Sequence, residues 1–152
     1  MSDTRPTAET RRAEMQAAAA GLGLDEALIS DLVDGFYAKV RNDPELGPIF
    51  AQAIGSDDAD WVTHLATMKR FWSSVALHTG VYSGQPMVVH GKVRDNIGFD
   101  ANHFPIWLSL FEQTVHEMCE GEEASKWLID RARRIADSLR LGLFYDAAQP
   151  RK

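Results

Sequence analysis

The chain has 152 residues, of which 45% are hydrophobic and 25% are charged, and it carries a formal net charge of -6. This length and balance are typical of one soluble domain with its own core, which excludes a disordered or fibrous protein. The negative charge opposes attraction to phosphate backbones, and no apolar run reaches the roughly 18 residues of a membrane span. We therefore expect neither nucleic acid nor a membrane as a partner.

The first residues and the single cysteine bear on the cellular compartment. Residues 1–15 are polar and lack the apolar centre of a secretory signal. Cys119 is the only cysteine, which excludes an internal disulfide and a cysteine-rich zinc cluster. We expect a cytoplasmic protein in which any metal is held mainly by histidine or carboxylate side chains.

Apolar residues recur three and four positions apart along the chain, and this spacing predicts an all-α fold of about seven helical segments. We expect residues 1–22 to form a partly flexible N-terminal extension. Residues 23–146 are predicted to form one helical domain, and residues 147–152 a C-terminal tail.

The domain begins with two predicted helical segments. Apolar pairs repeat every four residues over 25–41, which predicts a helix whose apolar stripe includes Tyr37. A proline at position 44 ends this helix, and a short turn or helix with Phe50 follows at residues 46–54.

The middle and the end of the chain contain the remaining segments. A helix that is predicted to end near residue 78 presents His64 within a face of large apolar side chains. After a loop with glycines, a short helix over residues 87–94 contains His90. Residues 101–120 place Trp107 on a further apolar stripe, and one long helix follows.

His64 and His90 differ from the other histidines because they lie among large apolar residues. There an unpaired imidazole would cost about 1–3 kcal/mol, so each ring needs a partner. Zinc is one alternative, but the i, i+4 histidine pair of zinc-binding helices is absent. The histidines at positions 78, 103 and 116 are interpreted as surface or structural residues.

The aromatic surroundings suit a flat apolar cofactor better than zinc, although aromatic stripes at helical spacing are also ordinary core packing. An iron porphyrin would offer one axial position to His90 and the other to a small ligand. Its faces would meet four large side chains, Phe50, Met68, Phe71 and Trp107.

Four sequence blocks, taken in order, resemble the group III truncated haemoglobins, and the resemblance extends from about residue 28 to residue 139. The blocks are FYAKVRNDPELGPIF, WVTHLATMKRFW, YSGQPMVVH and HFPIWLSLFEQTV. A weaker block, EEASKWLIDRARRIADSL, looks like the last helix of that family. The resemblance implies a truncated globin fold, a helical sandwich of the two-over-two type that encloses a haem.

The resemblance also implies residue roles. His90 corresponds to the proximal iron ligand, and Phe50 to a residue that stacks against the porphyrin. Tyr37, His64 and Trp107 correspond to the polar residues on the distal side, where the ligand binds. The other predicted cofactor contacts are Met68, Phe71, Met87 and Arg94. The residues alone are also consistent with a backbone partner for Tyr37, a gating or space-filling role for His64, and a core position for Trp107.

Position 67 departs from the family pattern. Thr67 stands one turn after His64, where many truncated globins have a basic side chain that reaches a haem propionate. Arg94 and Lys92 are plausible substitutes, and a lysine and an arginine at positions 69 and 70 are either substitutes or ordinary surface charges. The propionate partners therefore stay open at this point.

Three functions are compatible with the sequence. The first is reversible binding of oxygen, nitric oxide or carbon monoxide by histidine-ligated haem b (iron protoporphyrin IX), as in oxygen transport, without a catalytic residue. The second is an enzyme for nitric oxide dioxygenation or peroxidase-like chemistry, which needs a separate reductase because this chain has no flavin or nicotinamide motif. The third is a haem-free helical interaction or sensor domain. We expect a monomer or weak dimer.

Overall fold

The computed structural model describes residues 7–144. Its seven helices are α1 (Ala8–Gly21), α2 (Glu26–Asn42), α3 (Leu46–Ile54), α4 (Asp58–Leu77), α5 (Pro86–Asn96), α6 (His103–Met118) and α7 (Glu122–Phe144). No strand occurs among these residues, so the predicted all-α class is confirmed. Within the same range, none of the helices has the length and apolar character needed to cross a bilayer. The tail predicted at residues 147–152 lies outside the described residues.

Helix α1 occupies much of the predicted N-terminal extension. The Thr7 side chain caps it by accepting a hydrogen bond from a backbone N–H of the first turn. Ala19 is buried, and the Gln16 side-chain amide donates to the backbone carbonyl of His78 at the end of α4. Helix α1 therefore packs against α4, and the division between residues 1–22 and the rest of the chain stays a prediction.

Helix α2 lies at the centre of the fold. The Asp25 carboxylate caps its first turn by accepting a hydrogen bond from the Leu28 N–H at 2.8 Å. Of the side chains predicted to form its apolar stripe, Leu28 is partly buried and the others are buried, namely Ile29, Leu32, Val33, Phe36, Tyr37 and Val40. Because α2 packs against α4, α6 and α3, this stripe is covered from several directions.

Two helix pairs form the layers of the sandwich. Helix α2 pairs with α4, helix α6 pairs with α7, and α2 also packs against α6. Phe111 and Val115 of α6 and Leu128 and Ala132 of α7 are buried in the core. Helix α5 packs against α7 and has no buried residue, so it forms one edge of the fold.

Candidate functional site

A largely apolar cavity of about 360 Å³ is lined by residues from α2 to α7. Pockets that hold small molecules and cofactors have volumes of roughly 300–1,000 Å³, so this one has a suitable size. Most of the predicted site residues line it, namely Tyr37, Phe50, His64, Met68, Phe71, His90 and Trp107. The fold therefore brings together side chains that are far apart in the sequence.

Two predicted cofactor contacts lie elsewhere. Met87 is 38% exposed, and its side chain lies against Gly142 of α7. Arg94 donates hydrogen bonds to the backbone carbonyl of Leu143 and, at 3.0 Å, to the carboxylate of Asp95. Both side chains are directed towards groups outside the cavity, and neither is among the residues that line it.

His90 is oriented by its own helix. Pro86 occupies the start of α5, where its missing N–H is not needed, and its carbonyl oxygen lies 2.7 Å from His90 Nδ1. Because a carbonyl oxygen only accepts, Nδ1 is the donor, and in the neutral ring Nε2 is then the nitrogen with the lone pair. A hydrogen bond from the other ring nitrogen to a carbonyl is the usual arrangement in metal-binding histidines.

The structure also bears on the zinc alternative. In residues 7–144, no group of three or more histidine, cysteine, aspartate or glutamate side chains could hold a metal ion together. Catalytic zinc sites usually have three protein ligands, and structural zinc sites have four. An iron porphyrin brings its own ring nitrogen ligands and needs only an axial ligand from the protein.

His64 of α4 lines the same cavity. Its Nε2 is buried and makes no hydrogen bond to any described residue. Its ring meets the rings of Tyr37 and Trp61 edge to face, with centroid distances of 5.3 and 5.4 Å. Burial, and secondly the nearby His90, lower the pKa of His64 to about 4, so the ring is neutral at pH 7. A buried polar atom without a protein partner is rare and indicates a partner of another kind.

Acidification is expected to destabilise the cofactor-free protein through His64. The unfolded chain protonates this ring near pH 6.5, whereas the folded chain does so only near pH 4. The stabilising contribution of neutral His64 is therefore complete above about pH 6.5 and is lost as the pH falls towards 4. We expect a loss of about 1–3 kcal/mol, less than the full shift would give, because the side chain is partly exposed.

Urea unfolding of the wild type and His64→Gln at pH 7 and pH 4.5 measures this loss. The variant should lose less stability than the wild type on acidification. His116→Gln, which changes an exposed histidine, is the control and should behave like the wild type. Equal losses in the wild type and His64→Gln would contradict the role of His64.

Tyr37 and Trp107 supply two further polar groups. Tyr37 is 5% exposed, and its hydroxyl makes no hydrogen bond to a described residue. Burial raises the pKa of this hydroxyl above its ordinary value, so the proton is retained. The Trp107 indole N–H also has no partner among the described residues, whereas those of Trp61 and Trp127 donate to backbone carbonyls. Two donors are therefore available to a polar atom in the cavity.

Aromatic packing fixes the orientation of Trp107. Its ring is nearly parallel to that of Phe111, with centroids 5.9 Å apart and an interplanar angle of 11°. Trp72 stacks on Phe111 at 4.7 Å, and Phe36 meets Trp107 edge to face at 5.4 Å. Such contacts restrict ring rotation, so the indole N–H has a fixed position.

Sequence reasoning did not assign to the site three polar residues that line the cavity, Thr67, Tyr82 and His103. His103 was interpreted as a surface or structural residue, and its Nδ1 does accept a hydrogen bond from the Asp100 N–H at 2.9 Å. Tyr82 precedes α5 in a loop, where apolar periodicity gives no orientation. Its position in the YSGQPMVVH block, close to His90, was the one available signal.

The sequence and the fold both match those of a known family. The chain is 39% identical over 113 residues to the Group 3 truncated hemoglobin ctb of Campylobacter jejuni, covering 74% of this chain and 86% of that relative. The chain belongs to the group III truncated haemoglobins. This truncated haemoglobin also matches the crystal structure of group III truncated hemoglobin from Campylobacter jejuni, with a TM-score of 0.75 and 36% identity, over 83% of this chain and 96% of that chain. No protein-family model matches it.

These comparisons confirm the family and the truncated globin fold that the sequence blocks predicted. Membership of a haemoglobin family implies a haem cofactor and a diatomic gas as ligand. The cavity fits such a group, because its apolar walls surround His90 and the unpartnered polar atom of His64.

Proposed function

We propose that this truncated haemoglobin reversibly binds oxygen, and also nitric oxide and carbon monoxide, at haem b iron ligated by His90. The observation that supports this most is one apolar cavity in which a histidine with a free Nε2 and several unpaired polar groups meet. Bound haem would supply an iron atom with a coordination position open to a gas.

The proximal side of the proposed site depends on α5. The hydrogen bond from His90 Nδ1 to the Pro86 carbonyl orients the ring and makes Nε2 a better electron donor. Phe50, Met68 and Phe71 supply apolar surface that removes the porphyrin faces from water. Cofactor affinity thus comes from one metal ligand and a large apolar contact area.

The distal side of the proposed site offers hydrogen-bond donors, and no carboxylate is among the described residues that line the cavity. The Tyr37 hydroxyl and the Trp107 indole N–H are both neutral and protonated at physiological pH, so each can donate to a ligand with partial negative charge. His64 is neutral too, and its tautomer decides whether Nε2 donates or accepts. A set of donors without a protonated acid or a free carboxylate favours ligand retention over turnover.

Nitric oxide dioxygenation or peroxidase-like chemistry is the second candidate, because the same three polar groups would also stabilise charge in a reacting ligand. This activity would require a separate reductase. Steady-state assays with a chemical reductant and either nitric oxide or peroxide would distinguish turnover from binding. We further propose a cytoplasmic protein that takes part in oxygen transport as a monomer or weak dimer.

Hemin reconstitution tests the main proposal. Absorption spectra of the ferric, dithionite-reduced and carbon-monoxide-bound forms should show one haem per chain and a carbonyl-shifted Soret band. If the folded protein takes up no hemin, the proposal is wrong and the haem-free helical domain remains.

A further inference from the structure

Haem b carries two propionate carboxylates. Some of the cations near the cavity are already paired with a carboxylate of the protein, and others are not. Lys69 pairs with the Asp34 carboxylate at 3.0 Å, and Arg94 pairs with Asp95 at 3.0 Å. Neither Arg70 nor Lys92 has a carboxylate partner among the described residues, and of these two only Arg70 is hydrogen-bonded to a side chain that lines the cavity, that of Thr67. In a protein with a net charge of -6, a free cation close to the cavity is a favourable place for an anionic group.

Arg70 is exposed and is not among the residues that line the cavity, but its side chain is held to Thr67, which lines it. One guanidinium nitrogen of Arg70 donates to Thr67 Oγ1 at 3.2 Å. The Thr67 hydroxyl can accept this bond because its own proton is directed to the Thr63 carbonyl, at 3.2 Å. Arg70 uses only one of its five N–H donors here, so the others remain for a carboxylate.

Tyr82 is held against the same helix. Its backbone N–H donates to Ser74 Oγ at 2.9 Å, and its ring meets Phe71 edge to face at 5.1 Å. The phenol also lies so close to Gly84 that a side chain at position 84 would collide with it. Tyr82 lines the cavity, and its hydroxyl makes no hydrogen bond to a described residue.

These contacts hold the Arg70 side chain and the backbone of Tyr82 against neighbouring turns of α4. Arg70 and Ser74 are four residues apart, which corresponds to about 6 Å along a helix. We infer that Arg70 and Tyr82 bind the haem propionates at this edge of the cavity. Thr67 then acts as a positioning residue for Arg70. The inference rests on the proposed function, since it concerns the carboxylates of the proposed cofactor.

The experiment compares hemin with hemin dimethyl ester, whose carboxylates are blocked. Each porphyrin is loaded into the full chain, and its transfer to excess apomyoglobin is followed by absorbance. Arg70→Gln and Tyr82→Phe should each speed hemin loss by about threefold to tenfold. Loss of the dimethyl ester should match the wild-type rate in both variants, because the ester lacks the anionic group.

Three variants serve as comparisons. Thr67→Val should speed hemin loss by less than Arg70→Gln, since the guanidinium remains without its anchor. Lys69→Gln removes the positive charge next to Arg70, and Lys92→Gln removes a positive charge on α5. Both variants should lose hemin and its dimethyl ester at the wild-type rates. Far-UV circular dichroism checks that every variant is folded.

The possible results separate this inference from the proposed function. If the wild type binds hemin but Arg70→Gln and Tyr82→Phe do not change its loss, or change loss of hemin and ester equally, the inference is wrong and the proposed function stands. If only Lys92→Gln speeds the loss of hemin and leaves the loss of the ester unchanged, the propionates bind at α5 and the inference is wrong. If the wild type takes up neither porphyrin, both proposals are wrong.

Discussion

Replacing His90 with alanine is expected to weaken haem binding by about 100-fold or more. Removing a group that only orients a metal ligand lowers affinity by about 10–100-fold, and loss of the ligand itself should do more. The apolar contacts with Phe50, Met68 and Phe71 would remain, so residual binding without the axial bond is expected. Hemin titration followed by the Soret band and by tryptophan fluorescence measures the change.

The matched control is His116→Ala, which removes an exposed histidine of α6 and should keep the wild-type affinity. His90→Gly provides a second variant, because free imidazole can enter the space left by the side chain and should restore the ferrous spectrum. Full haem content with an unchanged ferrous spectrum in His90→Ala would show that another residue ligates the iron.

Replacing Tyr37 with phenylalanine is expected to speed oxygen dissociation by about 10- to 100-fold. A hydrogen bond to a ligand with partial charge is worth about 1.5–3 kcal/mol, and every 1.4 kcal/mol corresponds to a factor of ten. Burial keeps the Tyr37 hydroxyl protonated, so in the wild type it can donate over the whole physiological pH range. Stopped-flow displacement of oxygen by carbon monoxide measures the rate.

The same substitution should not destabilise the cofactor-free protein. Tyr37 is buried but its hydroxyl makes no hydrogen bond to a described residue, so its removal leaves no protein group without a partner. A faster oxygen loss together with equal or greater resistance to urea would therefore be the signature of a group retained for function. Trp107→Phe is the comparison variant for the second donor. An unchanged rate in Tyr37→Phe would assign ligand stabilisation to Trp107 or His64.

The helices were largely predictable from the sequence, because apolar periodicity and stop signals are local. The stripe of α2 is buried as its spacing predicts, and Asp25 caps the helix. The predicted bounds differ from the observed ones by a few residues. Helix α6 begins at His103 instead of position 101, because the Asp100 carboxylate accepts a hydrogen bond from the Asn102 N–H and holds a turn there.

By itself, the sequence determined the all-α class, the family and the presence of two histidines among apolar residues. These depend on residue order and local spacing. Only the tertiary structure decided which polar side chains reach the cavity. Arg94 is directed to a carbonyl of α7, whereas Arg70 is held by Thr67 beside the cavity. Helix α5 has no buried residue, so no apolar stripe fixes which of its side chains face inward. The direction of Arg94 depends on a partner from another helix, and that information appears only when the helices pack.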